Sequence, residues 1–166
     1  MYIKMWYCYL LRCIDEKHPN MTYGGSTNNV NRRLKQHLGQ ISGGAKATKG
    51  KSWEVYGLVT GFIDHQNCLS AEWRMNHVTG KRGKRPAKYC GVHGRIRGLS
   101  DILKLDKWTN KCKHFNNVSN YEVYLTEDVI ADIDVEGMPD NIEVFTVKKF
   151  TARIIERIDN RYYKKN

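Results

Sequence analysis

The sequence predicts a small α/β protein of the α+β kind. Its expected architecture is a three-stranded, mainly antiparallel sheet flanked by helices, with a mixed α/β C-terminal extension. Three observations carry this. Met5 to Cys13 alternates Tyr7, Tyr9 and Leu11 with Trp6, Cys8 and Leu10 and holds no Gly or Pro, so it reads as a strand covered on both faces. The loop from Ile14 to Asn20 is short, which pairs a second strand, Met21 to Gly25, with the first as an antiparallel hairpin and brings Tyr9 near Tyr23. After the cap-forming cluster Ser26-Thr27-Asn28-Asn29, the residues Val30, Leu34 and Leu38 recur at helical spacing.

Helical geometry separates two neighbouring arginines. Arg33 and His37 fall within about 60° of Val30 and border the apolar stripe, whereas Arg32 and Lys35 point away. Ile41 to Ser52, with three glycines and three lysines, is a flexible basic loop. Trp53 to Phe62 reads as a third strand. Asp64 or Asn67 caps a second helix running to about Val78, with Leu69 and Trp73 as its buried stripe and Glu72 on the edge of that stripe. Lys81 to Arg85 is a basic connector and Arg95 to Lys107 a helix. Tyr121 to Leu125 and Glu143 to Val147 are strands, and Thr151 to Tyr163 is a terminal helix. The expected division is a core of residues 1–85 and an extension of residues 86–166, packed on or near the core.

The chain has 166 residues, 18 of them aromatic, and 40% apolar content, enough for a real core. Its formal charge of +11 suits a polyanion or an anionic membrane surface. Residues 1–118 carry 21 Lys/Arg against 7 Asp/Glu, and residues 119–166 carry 7 against 10. Five scattered cysteines are no disulfide framework. The N-terminus, Met-Tyr-Ile-Lys-Met-Trp, lacks a leader's apolar stretch, and no run reaches the length of a membrane span. An intracellular location, nuclear or cytoplasmic, is expected.

Tyr7-Cys8-Tyr9 and Tyr23-Gly24-Gly25, followed in order by Arg33, His37 and Glu72, resemble the GIY-YIG nuclease superfamily over about residues 4–80. The stretches Tyr23-Gly24-Gly25-Ser26-Thr27, Gly43-Gly44-Ala45-Lys46 and Phe62 to Trp73 look like its structure-selective branch, which cuts flaps and branched junctions. Tyr7 stands where the family has glycine, and Gly24 where it has a branched residue; both motif tyrosines remain. In that branch a RING-type zinc domain follows, and a scaffold protein is the partner. After residue 80 only Cys90, His93, Cys112 and His114 are candidate zinc ligands, and a RING needs eight, so that domain is expected to be absent.

The resemblance implies an endonuclease acting on DNA at flaps, forks or branched junctions, in repair, recombination or genome processing. Its expected catalytic residues are Tyr9, Tyr23, Arg33, His37 and Glu72. Glu72, the only acidic residue on the predicted inner face, suits a single Mg²⁺ or Mn²⁺ that keeps most of its waters. Arg33 can clamp a phosphate oxygen. A tyrosine can orient or deprotonate the attacking water if its pKa is lowered; the family makes Tyr9 the better candidate, with Tyr23 in support. Lys46, Lys49, Lys51, Lys81, Arg82, Lys84, Arg85, Lys88, Arg95 and Arg97 are expected phosphate contacts. The acidic stretch from Glu122 to Glu143 is either a solvated face or a cover that folds over the basic cleft. The alternatives are a DNA-binding module without chemistry and a sequence-specific nuclease of homing or restriction type.

Overall fold

The computed structural model describes residues 5–165 and side chains as far as residue 161; Met1 to Lys4, part of the segment read for its lack of a leader, lie outside it. Strands β1 (Tyr7–Cys13) and β2 (Thr22–Thr27) form the expected hairpin, with Tyr9 opposite Gly25 and Leu11 opposite Tyr23. Helix α1 (Val30–His37) follows, then β3 (Trp53–Thr60) and α2 (His65–Asn76). Helix α3 (Gly91–Leu103) starts four residues earlier than the sequence suggests. Strands β4 (Tyr121–Thr126) and β5 (Ile142–Val147) and helix α4 (Ala152–Lys165) complete the described chain.

The sheet has five strands rather than three, in the order β2-β1-β3-β4-β5. β4 pairs antiparallel with β3, and β5 pairs parallel with β4. The strands of the extension thus continue the sheet of the core. Local pattern revealed β4 and β5 as strands, but their pairing with β3 depends on contacts more than 60 residues away in sequence, which alternation does not encode. Leu58, Val59, Val123 and Leu125 are all at most 3% exposed across this seam. Removing residues after Val118 would strip β4, β5 and α4 from the fold.

Alternation along β1 divides the core. Cys8 and Leu10 face α2 and α3, while Tyr7, Tyr9 and Leu11 face α1 and α4. Leu10 lies opposite Gly57 and Leu11 opposite Val55, so Tyr56 is an extra residue on β3. This bulge changes which positions of β3 face each side. Val55 joins the α1 face, whereas Val59, of the same parity, joins the α2 face.

The stripe on α2 differs from the expected one. Cys68, Ala71 and Met75 are buried, whereas Leu69 is 37% exposed and Trp73 half-buried. The two large residues are the more apolar choice, but Asp64 sets the start of the helix by accepting a hydrogen bond from the Asn67 amide at 2.7 Å, and the smaller residues then face the sheet. No described helix is long and apolar enough to cross a membrane.

Candidate active site

β1, β2, α1 and the basic loop converge on the Tyr9 hydroxyl. Tyr9 points toward α1 because odd positions of β1 face that side. Its ring centroid is 6.3 Å from that of Tyr23 and 5.7 Å from that of His37, and Tyr23 lies 4.8 Å from His37. Arg33 Nε donates to Tyr9 Oη at 3.2 Å. Its Nη1 donates to Gln36 Oε1 at 2.9 Å and to the Gly43 carbonyl at 2.8 Å. Arg32, one residue earlier, is exposed.

His37 is 2% exposed, deeper than the edge position expected of it. Its Nε2 lies 2.8 Å from Tyr9 Oη and its Nδ1 2.9 Å from Thr48 Oγ1. Thr48 Oγ1 donates to the Ala45 carbonyl at 3.0 Å, so toward His37 it accepts. The network therefore assigns the proton to Nδ1 and leaves Nε2 to accept from the Tyr9 hydroxyl. Trp53 Nε1 donates to the Thr48 carbonyl at 2.9 Å and fixes the threonine. The result is one directed chain: Arg33 to Tyr9, Tyr9 to His37, His37 to Thr48, Thr48 to Ala45.

Burial pushes the Tyr9 phenol up to about 12, with Arg33 opposing and the charges of Tyr23 and Glu72 adding to the rise. The lowered pKa that a tyrosine base would need is thus not supplied by Arg33: desolvation outweighs the guanidinium. Burial, followed by the Arg33 charge, lowers His37 to about 4, so the imidazole is neutral and able to accept a proton at physiological pH.

Glu72 is half-buried on α2, and its Oε2 accepts from Ser26 Oγ at 2.6 Å. Its charge is felt at the Tyr9 hydroxyl. No three His, Cys, Asp or Glu side chains among the described residues gather as a ligand cluster. Glu72 therefore offers a lone carboxylate flanked by a serine hydroxyl. That donor set fits a hard cation that retains most of its waters, as Mg²⁺ does.

Glycine is required at Gly25. A Cβ there would fall inside van der Waals contact of the Tyr9 hydroxyl and within 3.0 Å of Tyr9 Cε1. Gly25→Ala is expected to move the phenol away from His37 and slow any reaction that uses the Tyr9 hydroxyl about 100-fold. Single-turnover rates on a protein with an unchanged circular dichroism spectrum check this. At Gly24, the departure from the family motif, the space of a side chain is taken by Arg95.

The expected phosphate contacts divide. Lys46, Lys49, Lys81, Arg82, Lys84 and Lys88 are exposed, while Lys51 and Arg85 are half-buried. Arg95 is corrected: it is 3% exposed, donating to the Met75 carbonyl at 3.2 Å and to Asn76 Oδ1 at 2.7 Å, because it fills the hollow left by Gly24. Arg97 is ion-paired with Asp132 at 3.0 Å. Other acidic residues after Val118 are similarly engaged, Asp128 with Arg12 at 2.5 Å and Asp134 with Lys104 at 2.6 Å. Gln36, Thr48 and Ser26 were missed. Ser26 read as part of a helix cap, but Asn29 is the cap, and nothing in the loop sequence singles out Thr48.

Residues 5–86 match the model of the GIY-YIG catalytic domain. This part of the chain belongs to the GIY-YIG family. The chain is also 32% identical over 107 residues to the structure-specific endonuclease subunit slx1 of Schizosaccharomyces pombe, covering 61% of this chain and 40% of that one. A protein of the same name from Aspergillus terreus is 47% identical over 72 residues, covering 42% and 18%. The uncharacterized protein L300 of Acanthamoeba polyphaga mimivirus is 40% identical over 79 residues, covering 46% of each. The chain spans less than half the length of each of these relatives. Within the GIY-YIG family, its similarity is to the structure-specific endonuclease branch.

Proposed function

We propose that this chain is a metal-dependent DNA endonuclease that hydrolyses phosphodiester bonds at flaps, forks or branched junctions. The observation that carries the proposal is the directed chain from Arg33 through Tyr9 to His37 and Thr48. It forms a one-way path for a proton and needs no ionised tyrosine. Water gives its proton to Tyr9 Oη as Tyr9 passes its own to His37 Nε2. The resulting imidazolium keeps its Nδ1–H on Thr48, and Arg33 stabilises the charge that develops on the phenol oxygen. The remaining guanidinium donors of Arg33 face a phosphate oxygen. Tyr23 packs on His37 and fixes the ring. Glu72 would hold the cation, one Mg²⁺ or Mn²⁺, with Ser26 orienting its carboxylate. When bound, the cation supplies a Lewis acid for the phosphate and the leaving oxygen, and offsets the Glu72 charge that raises the Tyr9 pKa.

Lys46, Lys49, Lys51, Lys81, Arg82, Lys84, Arg85 and Lys88 remain in the proposed phosphate-contact set. Residues 86–166 complete the sheet, and their loops serve substrate binding. The two slx1 relatives are named as subunits, so a scaffold partner for this chain belongs to the same proposal, as do roles in repair, recombination or genome processing. Flapped, forked, four-way and plain duplex DNAs of matched length, each with Mg²⁺ and with EDTA, form the test. Cutting of branched forms at least about tenfold faster than duplex, abolished by EDTA, is expected. Binding without cutting would favour a module that has lost the chemistry, and equal cutting of duplex a homing or restriction-type enzyme.

A further inference from the structure

Leu69 and Trp73, the two large apolar residues that α2 does not bury, open onto a groove of about 510 Å³. They form its apolar part, and Arg74, Arg82 and Lys111 bring three cations to it. None of its lining residues is acidic. Arg74 is spent on the fold, donating to the carbonyls of Val78 at 3.1 Å and Trp108 at 3.2 Å. Arg82 and Lys111 are exposed and have no ion-pair partner among the described residues. The Trp73 ring is held on one side by His77, stacked at 4.4 Å between centroids and 18° between planes. Trp73 follows Glu72 directly, so the two side chains leave the helix about 100° apart.

We propose that this groove binds an unpaired nucleotide of the substrate, its base continuing the Trp73–His77 stack and its phosphates meeting Arg82 and Lys111. This deepens the endonuclease reading and rests on it. A rigid ring backed on one side is a stacking platform for any base, and flanking cations track a backbone without reading sequence. Polar Gln66, Ser70 and Asn110 on the walls suit base edges rather than an aliphatic chain. The groove thereby supplies a reason for branch selectivity. A plain duplex has no free base to offer, whereas a flap or fork has one for Trp73, the residue next to Glu72 on α2. Lys111 belongs to a loop that the sequence pattern did not mark as a nucleic-acid contact.

Binding in EDTA to flapped DNA, with a single abasic site moved through the first five flap nucleotides, tests this without requiring cleavage. At one or two positions the abasic site should weaken wild-type binding about tenfold. The same substitution should cost Trp73→Ala almost nothing, and Trp73→Phe should respond as the wild type does. Because Trp73→Ala can also lower stability, a second variant uses an exposed residue only. Lys111→Gln should reduce the slope of log affinity against log salt by about one on flapped DNA. On duplex its slope should match that of the wild type. No abasic effect at any position, or an equal effect in wild type and Trp73→Ala, overturns the proposal, as does an equal slope change on flap and duplex. Cleavage of flaps by a wild type indifferent to the abasic site would leave the endonuclease reading standing and remove this one alone.

Discussion

Arg33→Ala and Glu72→Gln are each expected to lower the single-turnover rate of DNA cutting by about 1,000-fold or more, while binding to the same DNA in EDTA changes less than about threefold. Both side chains are half-buried and neither is a core residue, so the folded state survives. Arg33 does two things at once. Its Nε holds the Tyr9 hydroxyl, and its Nη1 is anchored on Gln36 and Gly43. Lysine cannot reproduce that fork, so Arg33→Lys should behave like Arg33→Ala. Glu72→Gln keeps the shape and an acceptor for Ser26 but removes the charge on which a divalent cation depends. Rates measured against Mg²⁺ concentration separate the two. Excess metal should not rescue Arg33→Ala, whereas Glu72→Gln should show a raised metal requirement.

The second expected result concerns pH. Tyr9 sits at about 12 and His37 at about 4, so between about pH 6 and 9 the relay is fully assembled and contributes no slope to the rate. Below that range, protonation of His37 closes Nε2 to the Tyr9 proton, and cutting falls as the pH approaches 4. A tenfold rise per pH unit across 6 to 9 in proportion to ionised Tyr9 would contradict the relay. His37→Ala should cost about 1,000-fold and Thr48→Val roughly tenfold, the latter because it frees the ring by removing the Nδ1–H acceptor while Nε2 remains. Stability shifts the same way. The unfolded chain takes up the His37 proton near pH 6.5 and the folded chain near 4, so stability is retained above 6.5. It declines as the pH falls through this window, by about 3 kcal/mol at most. Denaturant unfolding of wild type and His37→Gln at pH 7 and pH 4.5 reads this directly, the variant losing less.

Different physical causes made parts of this molecule legible in the sequence and hid others. The hairpin, α1 and the choice of Arg33 over Arg32 followed from period and spacing, because a strand alternates and a helix turns by a fixed angle. That geometry paired Tyr9 with Tyr23 and Arg33 with His37, and the family resemblance joined the two pairs into one site. The attachment of β4 and β5 was hidden because strand pairing is a long-range choice. The face of α2 was misread because Leu69 and Trp73 are more apolar than Cys68, Ala71 and Met75, and apolarity stood in for orientation. Arg95 looked like any other cation in a basic run. Only the hollow over Gly24, itself visible as a departure from the family motif, accounts for its burial. Ser26 entered only as part of a cap cluster and a family-like stretch, and Thr48 carried no signal, since hydroxyl residues near turns usually serve turns and caps.

The central claim is that Tyr9, Arg33, His37 and Glu72 form one hydrolytic centre on branched DNA. It is tested most directly by single-turnover cutting of a flapped DNA and its matched duplex with Mg²⁺, by the wild type and by Glu72→Gln. Prompt cutting of the flapped DNA by the wild type, slow cutting of the duplex and loss of both in Glu72→Gln are expected. Cutting by Glu72→Gln at the wild-type rate, with the same products, would contradict it.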